Sequence, residues 1–191
     1  MIMFLRFGLY SQNTKVISEK CIVMGVDINC SLEIAAQRFE QKGFIAREDK
    51  HFLIGQFLNR KVTVQLTPDK DNKFIAWVGV FVTNLTDKDN PSKFYTSWNR
   101  LKTELLEISE ELQHLYNVEY ISLFEFASPY KEGDGNEFSA ICSGKANVYS
   151  SFFLFKDGIS LIKIYPTSVS IDKMMLIVHF YNEKAGLSNP S

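Results

Sequence analysis

Two stretches of the chain repeat apolar residues at helical spacing, and the first lies near the start. Its apolar positions are Leu32, Ala35, Ala36 and Phe39. Ser31 precedes them, and a serine there commonly accepts a hydrogen bond from an unpaired amide of the first turn. Gly43 follows them, and glycine ends helices because it enters the left-handed conformation without a Cβ penalty. The pattern predicts a helix between Ser31 and Gly43.

The second stretch is a longer apolar stripe, which predicts a helix of about six turns. Its members are Phe94, Trp98, Leu101, Leu105, Ile108, Leu112 and Leu115. Asn90, Pro91 and Ser92 indicate its start, and Glu104 falls off the stripe and is expected to face water. About three heptads are short for a coiled coil, so we expect this helix to lie along a sheet.

Between and after these helices, the apolar pattern changes to that of strands. Val62, Val64 and Leu66 alternate with polar residues, as in a half-buried antiparallel strand. The nearly continuous apolar segment 74–82 predicts a central strand. Further strands are predicted at 52–58, 121–126, 148–155, 159–165 and 174–181.

Turn residues predict how the strands connect. Gly55 interrupts its strand and predicts a bulge, and Asn59 and Arg60 predict a short hairpin link. Asp157 and Gly158 form the strongest short hairpin signal, so we expect a two-residue turn with positive φ at Gly158.

The order of elements is a helix, three or four strands, a second helix and about four more strands. It predicts an α+β fold: an antiparallel sheet with two amphipathic helices on one face, built as two helix-plus-strands pseudo-repeats. A length of 191 residues suits a single domain, 1–191, with halves at 20–85 and 90–183.

Composition and charge exclude some partners. The net charge is −1 and the two signs are interspersed, so the basic stripe that drives nucleic-acid binding is missing. Because there is no long apolar run, we expect no transmembrane span. The apolar residues 1–12 have two interpretations, a shortened export signal or an ordinary first strand or loose end.

Neither a metal nor a cofactor is expected. Cys21, Cys30 and Cys142 lack the paired spacing of a zinc site, and we expect each to be buried and unpaired. The repeated Asp-Lys-Asp-Asn at 69–72 and 87–90 fits a turn better than a calcium loop. The loop segment 132–137 also fails the EF-hand pattern. The sixth position of such a loop must be glycine and the twelfth glutamate, and here these positions hold Glu137 and Ser143.

Catalytic signals are equally weak. The three histidines, His51, His114 and His179, have no nucleophile nearby in sequence, and motifs such as G-x-S-x-G or H-E-x-x-H do not occur. We therefore expect no enzyme.

The strongest candidate for recognition is a group of aromatic strand residues. They are Tyr149, Phe153, Phe155, Tyr165 and Tyr181. Rings on one sheet face can contact sugars or partner proteins, whereas the alternative is packing under the long helix.

The second candidate is the Gly-rich loop from Tyr130 to Asn136, since loops on a rigid sheet often hold recognition residues. The predicted contact residues are Tyr130, Asp134, Asn136, Tyr149 and Tyr165.

A set of residues along the chain also follows a recognisable order. They are Gly25, Ile28, Ser31, Leu32, Lys42, Gly43, Phe44, Gly55, Phe57, Trp98, Tyr116, Asp157 and Gly158. In this order the chain resembles a group of uncharacterised secreted proteins and lipoproteins of Bacteroides-like gut bacteria, with a G-I-P-I-D-G-S-L, helix, K-G-F pattern. Asp27, Asn29 and Cys30 depart from that pattern.

The resemblance implies an α+β fold and an exported location in the periplasm or at the outer membrane, and it implies no activity. The helix-then-strands order is also similar to small modules of the β-lactamase-inhibitor-like type, at the level of fold alone. We expect a non-catalytic exported binding or interaction module of the cell envelope, with a protein or glycan as ligand. The alternative is an envelope assembly or structural protein, and an enzyme of unknown class is less supported.

Overall fold

The structure is a computed structural model that describes residues 19–82, 94–156 and 158–185, except the side chains of 155 and 156. Some of the predictions above concern parts of the chain outside the described residues. These parts are residues 1–12, the repeat at 87–90, the helix start at 90–92, Asp157, and the ring of Phe155.

The described chain contains three α-helices and ten strands, and a 19-residue helix is its longest element. The first half contains β1 (Ile22–Val23), β2 (Val26–Asp27), α1 (Leu32–Gln41), β3 (Ile45–Ala46), β4 (Phe52–Phe57), β5 (Arg60–Pro68) and β6 (Ile75–Val82). The second half contains α2 (Trp98–Tyr116), β7 (Ile121–Phe126), α3 (Glu137–Cys142), β8 (Ala146–Lys156), β9 (Ile159–Ser170) and β10 (Lys173–Asn182). A short 3₁₀ helix, Glu183–Ala185, follows.

Strands β3 to β10 form one eight-stranded sheet in the order β3-β4-β5-β6-β10-β9-β8-β7. Every neighbouring pair is antiparallel. Each half therefore contributes a helix and four consecutive strands, and the halves join where β6 pairs with β10. The predicted α+β fold with two helix-plus-strands units is confirmed.

One face of this sheet is covered by the helices. The buried residues of α1 and α2 share a single hydrophobic core with residues of the central strands, such as Val64, Val80 and Val178. Phe138 and Ile141 of α3 also pack against this core. The face with these residues is called the covered face below, and the opposite face is called the open face.

Helix α1 forms as predicted, but a distant residue caps it. Ser31 occupies the N-cap position without a side-chain cap bond, and the Leu32 N–H donates to Asn72 Oδ1 at 2.8 Å. Gly43 has a φ of +90°, as expected at the end of a helix. The turn at 69–72 thus stabilises α1. The turn is in its own right stabilised by a hydrogen bond from the backbone N–H of Lys73 to Asp69 Oδ1.

Helix α2 differs from its prediction at both ends. It begins at Trp98 rather than near Phe94, and Leu115 is 57% exposed. Leu101, Leu105, Ile108 and Leu112 are buried as expected, and α2 lies against β8, β9 and β10.

Two turn predictions are wrong by small amounts. Gly55 is not at a bulge, because it pairs in regular register with Val62. Its missing side chain makes room for Phe44, whose ring would lie 2.2 Å from a Cβ at this position. The link between β4 and β5 is Leu58 and Asn59, both with positive φ, rather than Asn59 and Arg60.

Other features were absent from the prediction. Strands β1 and β2 form a separate small hairpin, and helix α3 follows the Gly-rich loop. The predicted hairpin between β8 and β9 is present, with a φ of +75° at Gly158.

Candidate functional site

Strand register places large aromatic side chains together at the middle of the open face. Trp77 of β6 lies opposite Tyr181 of β10, and Gly79 lies opposite His179. On the other side of β10, His179 lies opposite Lys163 of β9. Side chains on a strand alternate between the two faces, so these residues share the open face.

His179 is the centre of this group. Its ring centroid lies 4.7 Å from that of Trp77, 5.3 Å from that of Tyr165 and 5.6 Å from that of Tyr181. The two tyrosine rings stand at 83° to the imidazole, an edge-to-face arrangement. We call Trp77, Tyr165, His179 and Tyr181 the aromatic cluster.

The hydroxyls of both tyrosines lie 3.1 Å from His179 Nδ1. Burial, with a smaller contribution from the charge of Lys163, lowers the pKa of His179 to about 4. Burial, and secondarily Tyr181, raises the pKa of Tyr165 to about 12, and burial also raises the pKa of Tyr181. At neutral pH the rings of Tyr165, His179 and Tyr181 are therefore uncharged. Because both tyrosine hydroxyls can donate to His179 Nδ1, they favour the imidazole tautomer in which Nδ1 carries no proton.

Lys163 is the cation next to this cluster. Its Nζ lies 4.7 Å from the centroid of the Tyr149 ring and 5.7 Å from that of Tyr165. Ammonium groups are attracted to ring faces over such distances. Lys163 therefore holds Tyr149 beside the aromatic cluster.

Gly79 leaves the space in which His179 lies. A Cβ at this position would lie 3.0 Å from His179 Nε2 and 3.2 Å from Trp77 Cζ3. The absence of a side chain allows both rings to lie close to the strand backbone.

The four described aromatic strand residues are thus not under the long helix. Tyr149, Tyr165 and Tyr181 are half-buried on the open face, and Phe153 is 55% exposed. The rings near α2 come from other positions: Trp98 contacts Phe124 and Phe126 edge-to-face.

The Gly-rich loop lies apart from the aromatic cluster, on the helix side of the molecule. Glu132 accepts hydrogen bonds from the indole of Trp98 and from Lys102, both in α2. Asp134 accepts the backbone amides of Lys131 and Asn136. The predicted contact residues of the loop, Tyr130, Asp134 and Asn136, therefore lie apart from those of the strands, which are Tyr149 and Tyr165.

The acids and amide of this loop stabilise the loop itself. Asp134 and Asn136 are exposed and Tyr130 is half-buried. Glu137 is buried, and it accepts the amide of Gly133 at 2.6 Å. Bonds from a carboxylate to nearby backbone amides are typical of turns.

A cleft of about 490 Å³ lies between this loop, the start of α2 and the turn after β9. Trp98, Phe138 and Ile171 contribute apolar surface, and Glu137 and Asp172 contribute carboxyl groups. No histidine lines the described part of this cleft.

Potential metal ligands are dispersed. Within residues 19–82, 94–156 and 158–185, no three His, Cys, Asp or Glu residues cluster closely enough to hold an ion. Cys21 and Cys30 are buried, as expected, whereas Cys142 is exposed, contrary to the prediction. Burial raises the pKa of the Cys30 thiol, although the charge of Arg38 partly opposes this effect.

Sequence reasoning missed three central members of the site, namely Trp77, Lys163 and His179. The sequence of β10 contained a signal for His179, because His179 precedes Tyr181 by two residues and side chains at this spacing share one face of a strand. Trp77 and Lys163 required the pairing of β6, β10 and β9, which local periodicity does not contain.

Comparison with protein-family models, with curated protein sequences and with solved structures finds no match for this chain. Among the described helices, none is both long and apolar enough to cross a membrane. The helices and the eight-stranded sheet define the structural class of the protein as α+β with an antiparallel sheet.

Proposed function

We propose that this chain is a non-catalytic binding module that holds a protein or glycan ligand on the open face of its sheet. The observation that carries this proposal is the set of half-buried side chains around the buried His179, on the face that the described helices leave free. They are Trp77, Tyr149, Lys163, Tyr165 and Tyr181. Aromatic rings supply much of the binding energy at recognition surfaces, because they bury large areas with few rotatable bonds.

The chemistry of the cluster supports binding over catalysis. Its histidine is neutral and its Nδ1 is close to two phenol groups. Covalent catalysis needs an activated nucleophile beside an effective base, whereas burial raises the pKa of Tyr165 to about 12 and lowers that of His179 to about 4. The rings therefore offer a shaped and largely apolar contact surface to a ligand.

We further propose that the protein acts at the cell envelope after export. The support is the resemblance of its opening signature to secreted proteins and lipoproteins, together with the apolar residues 1–12. Separation of native cells into cytosol, periplasm and membranes tests this location, and detection in the cytosol alone would contradict it.

A pull-down from an envelope fraction tests the binding surface. The bait is the wild-type protein, compared with a variant that carries Trp77→Ser, Tyr149→Ser and Phe153→Ser. We expect the variant to lose the captured ligand while the control Ile34→Ser, an exposed residue of α1, retains it. Thermal denaturation of each protein checks folding, and equal capture by the folded triple variant would remove the open face from the site.

An envelope assembly or structural protein is the second candidate. It is favoured by the extent of the open face, where apolar residues occur from Ile54 of β4 to Leu123 of β7. A surface of this breadth suits contact with a large partner.

A further inference from the structure

The composition of the open face matches the centre of a protein–protein interface. Its aromatic members include Phe52, Trp77, Tyr149, Phe153, Tyr165 and Tyr181, and apolar side chains also lie on this face. Interface centres are enriched in aromatic residues and methionine and depleted of charged residues.

Charged residues are few on this face, and one of them is central. Lys163 lies over Tyr149 and beside the aromatic cluster, with Ser151 opposite it in β8. In the part of the chain that the structure describes, no carboxylate lies within ion-pair distance of Lys163. Its contacts are with rings, and these attract the ammonium without neutralising it.

Docking of an apolar surface would remove water from Lys163. Burial of an unpaired charge is costly, whereas a carboxylate at hydrogen-bonding distance compensates much of the cost. A partner that covers the aromatic cluster must therefore supply an anionic group opposite Lys163 Nζ.

Two other occupants fit less well. A glycan presents many hydroxyl groups, but apolar side chains such as Ile54 and Leu123 give them no hydrogen bonds, and the phenols of the aromatic cluster are already close to His179. A second copy would bring Lys61 and Lys163 with Glu125 as its one strand carboxylate on the described open face, so lysines would outnumber carboxylates in that interface.

We propose that the open face docks a partner protein through an apolar or aromatic surface that carries one Asp or Glu placed against Lys163. This inference rests on the proposed function, since it names the class of ligand for the same face. It makes Lys163 the residue that selects the partner, whereas the surrounding rings supply most of the contact area.

The test uses a random peptide library displayed on phage and selected on the wild-type protein. We expect enriched peptides that combine aromatic or aliphatic residues with an Asp or Glu. For a synthetic peptide from this set, Lys163→Gln should weaken binding at least tenfold, and replacement of the peptide's own acid by its amide should do the same. Both changes together should cost little more than either one alone, because they remove the same ion pair.

Matched variants separate the role of the charge from that of folding. Lys61→Gln removes an exposed lysine of the same face and should change the affinity less than twofold. Lys163→Arg keeps a cation and should retain most of the binding. Equal losses in Lys163→Gln and Lys61→Gln, or enriched peptides without any acidic residue, would overturn the inference and leave the proposed function standing.

The remaining outcomes identify the other occupants. If the wild type binds a printed glycan array through the aromatic cluster and selects no peptides, the partner is not a protein. If sedimentation shows a dimer that Lys163→Glu abolishes, the face is an interface between copies, which also overturns the inference. If the variant with Trp77→Ser, Tyr149→Ser and Phe153→Ser captures every ligand as well as the wild type does, the proposed function itself fails.

Discussion

Single glycines determine how closely segments of this chain approach one another. Gly158 has a positive φ, and a Cβ at this position would lie 2.1 Å from the backbone carbonyl oxygen of Lys20. Gly133 has a similar φ of +85° but no heavy atom within 4 Å of its hypothetical Cβ. The two glycines therefore have nearly the same backbone conformation, but only Gly158 has other backbone atoms close to the place that a Cβ would occupy.

We expect Gly133→Ala to destabilise the protein by about 1–2 kcal/mol, the cost of a left-handed alanine. Gly158→Ala should cost clearly more, because the backbone of Lys20 cannot rotate away as a side chain can. Urea denaturation of both variants measures the difference, and equal losses would show that no close approach exists at Gly158.

His179 predicts how stability depends on pH. Its pKa in the folded protein is about 4, below the value of about 6.5 for an unfolded chain. The unfolded state therefore binds more protons between these values, so stability is full above pH 6.5 and is lost as pH falls toward 4.

The expected loss from this residue is about 3 kcal/mol over that range. His179→Gln does not titrate there, and its free energy of unfolding should fall less between pH 6.5 and 4 than that of the wild type. Chemical denaturation at several pH values provides the comparison. Parallel curves for the two proteins would mean that His179 is not held neutral by burial.

At the scale of elements, the amphipathic stripe of α2 was predicted well in its middle and poorly at its ends. Leu105 is fully buried and Leu115 is 57% exposed, although both belong to the same sequence pattern. The helix ends at Tyr116, whose ring centroid lies 6.3 Å from that of the buried Phe180. Leu115 is therefore exposed although its neighbour in the same turn packs against the core.

Leu105→Ala should cost about 2–5 kcal/mol, because it leaves a cavity between α2 and the sheet. Leu115→Ala has the same chemistry at an exposed site and should stay within about 0.5 kcal/mol of the wild type. Thermal or urea denaturation measures both. A small loss in Leu105→Ala would contradict burial of this stripe against the sheet.

At the scale of the whole molecule, an ion-pair network joins the two halves. Arg60 in β5 forms an ion pair with Glu104 of α2, and the two side chains are 12% and 8% exposed. Arg60 Nη1 also bonds Glu111 at 2.8 Å. Burial acts to lower the pKa of Arg60, but the hydrogen bonds to these glutamates outweigh it and the pKa is raised.

We expect Arg60→Met to cost about 3–5 kcal/mol, because it leaves Glu104 buried without its partner. The double variant Arg60→Met, Glu104→Leu should recover a large part of this loss. A double-mutant cycle by denaturant unfolding measures the coupling, and strictly additive losses would show that the two side chains do not interact.

The amino-acid sequence by itself determined the order of helices and strands and the residues that form one face of each element. These are local properties, since periods of 3.6 and 2 residues are visible in any short window. The α+β class, the core positions of α1 and most strands were predictable for this reason.

Only the tertiary structure decided what each face contacts. Glu104 has the sequence context of a solvated helix position, yet Arg60 from the other half makes it a buried ion pair. Asn72, forty residues away, caps α1 in place of Ser31. His179 becomes the centre of an aromatic cluster because β10 pairs with both β6 and β9. Each contact joins residues far apart in the chain, so no local pattern contains it.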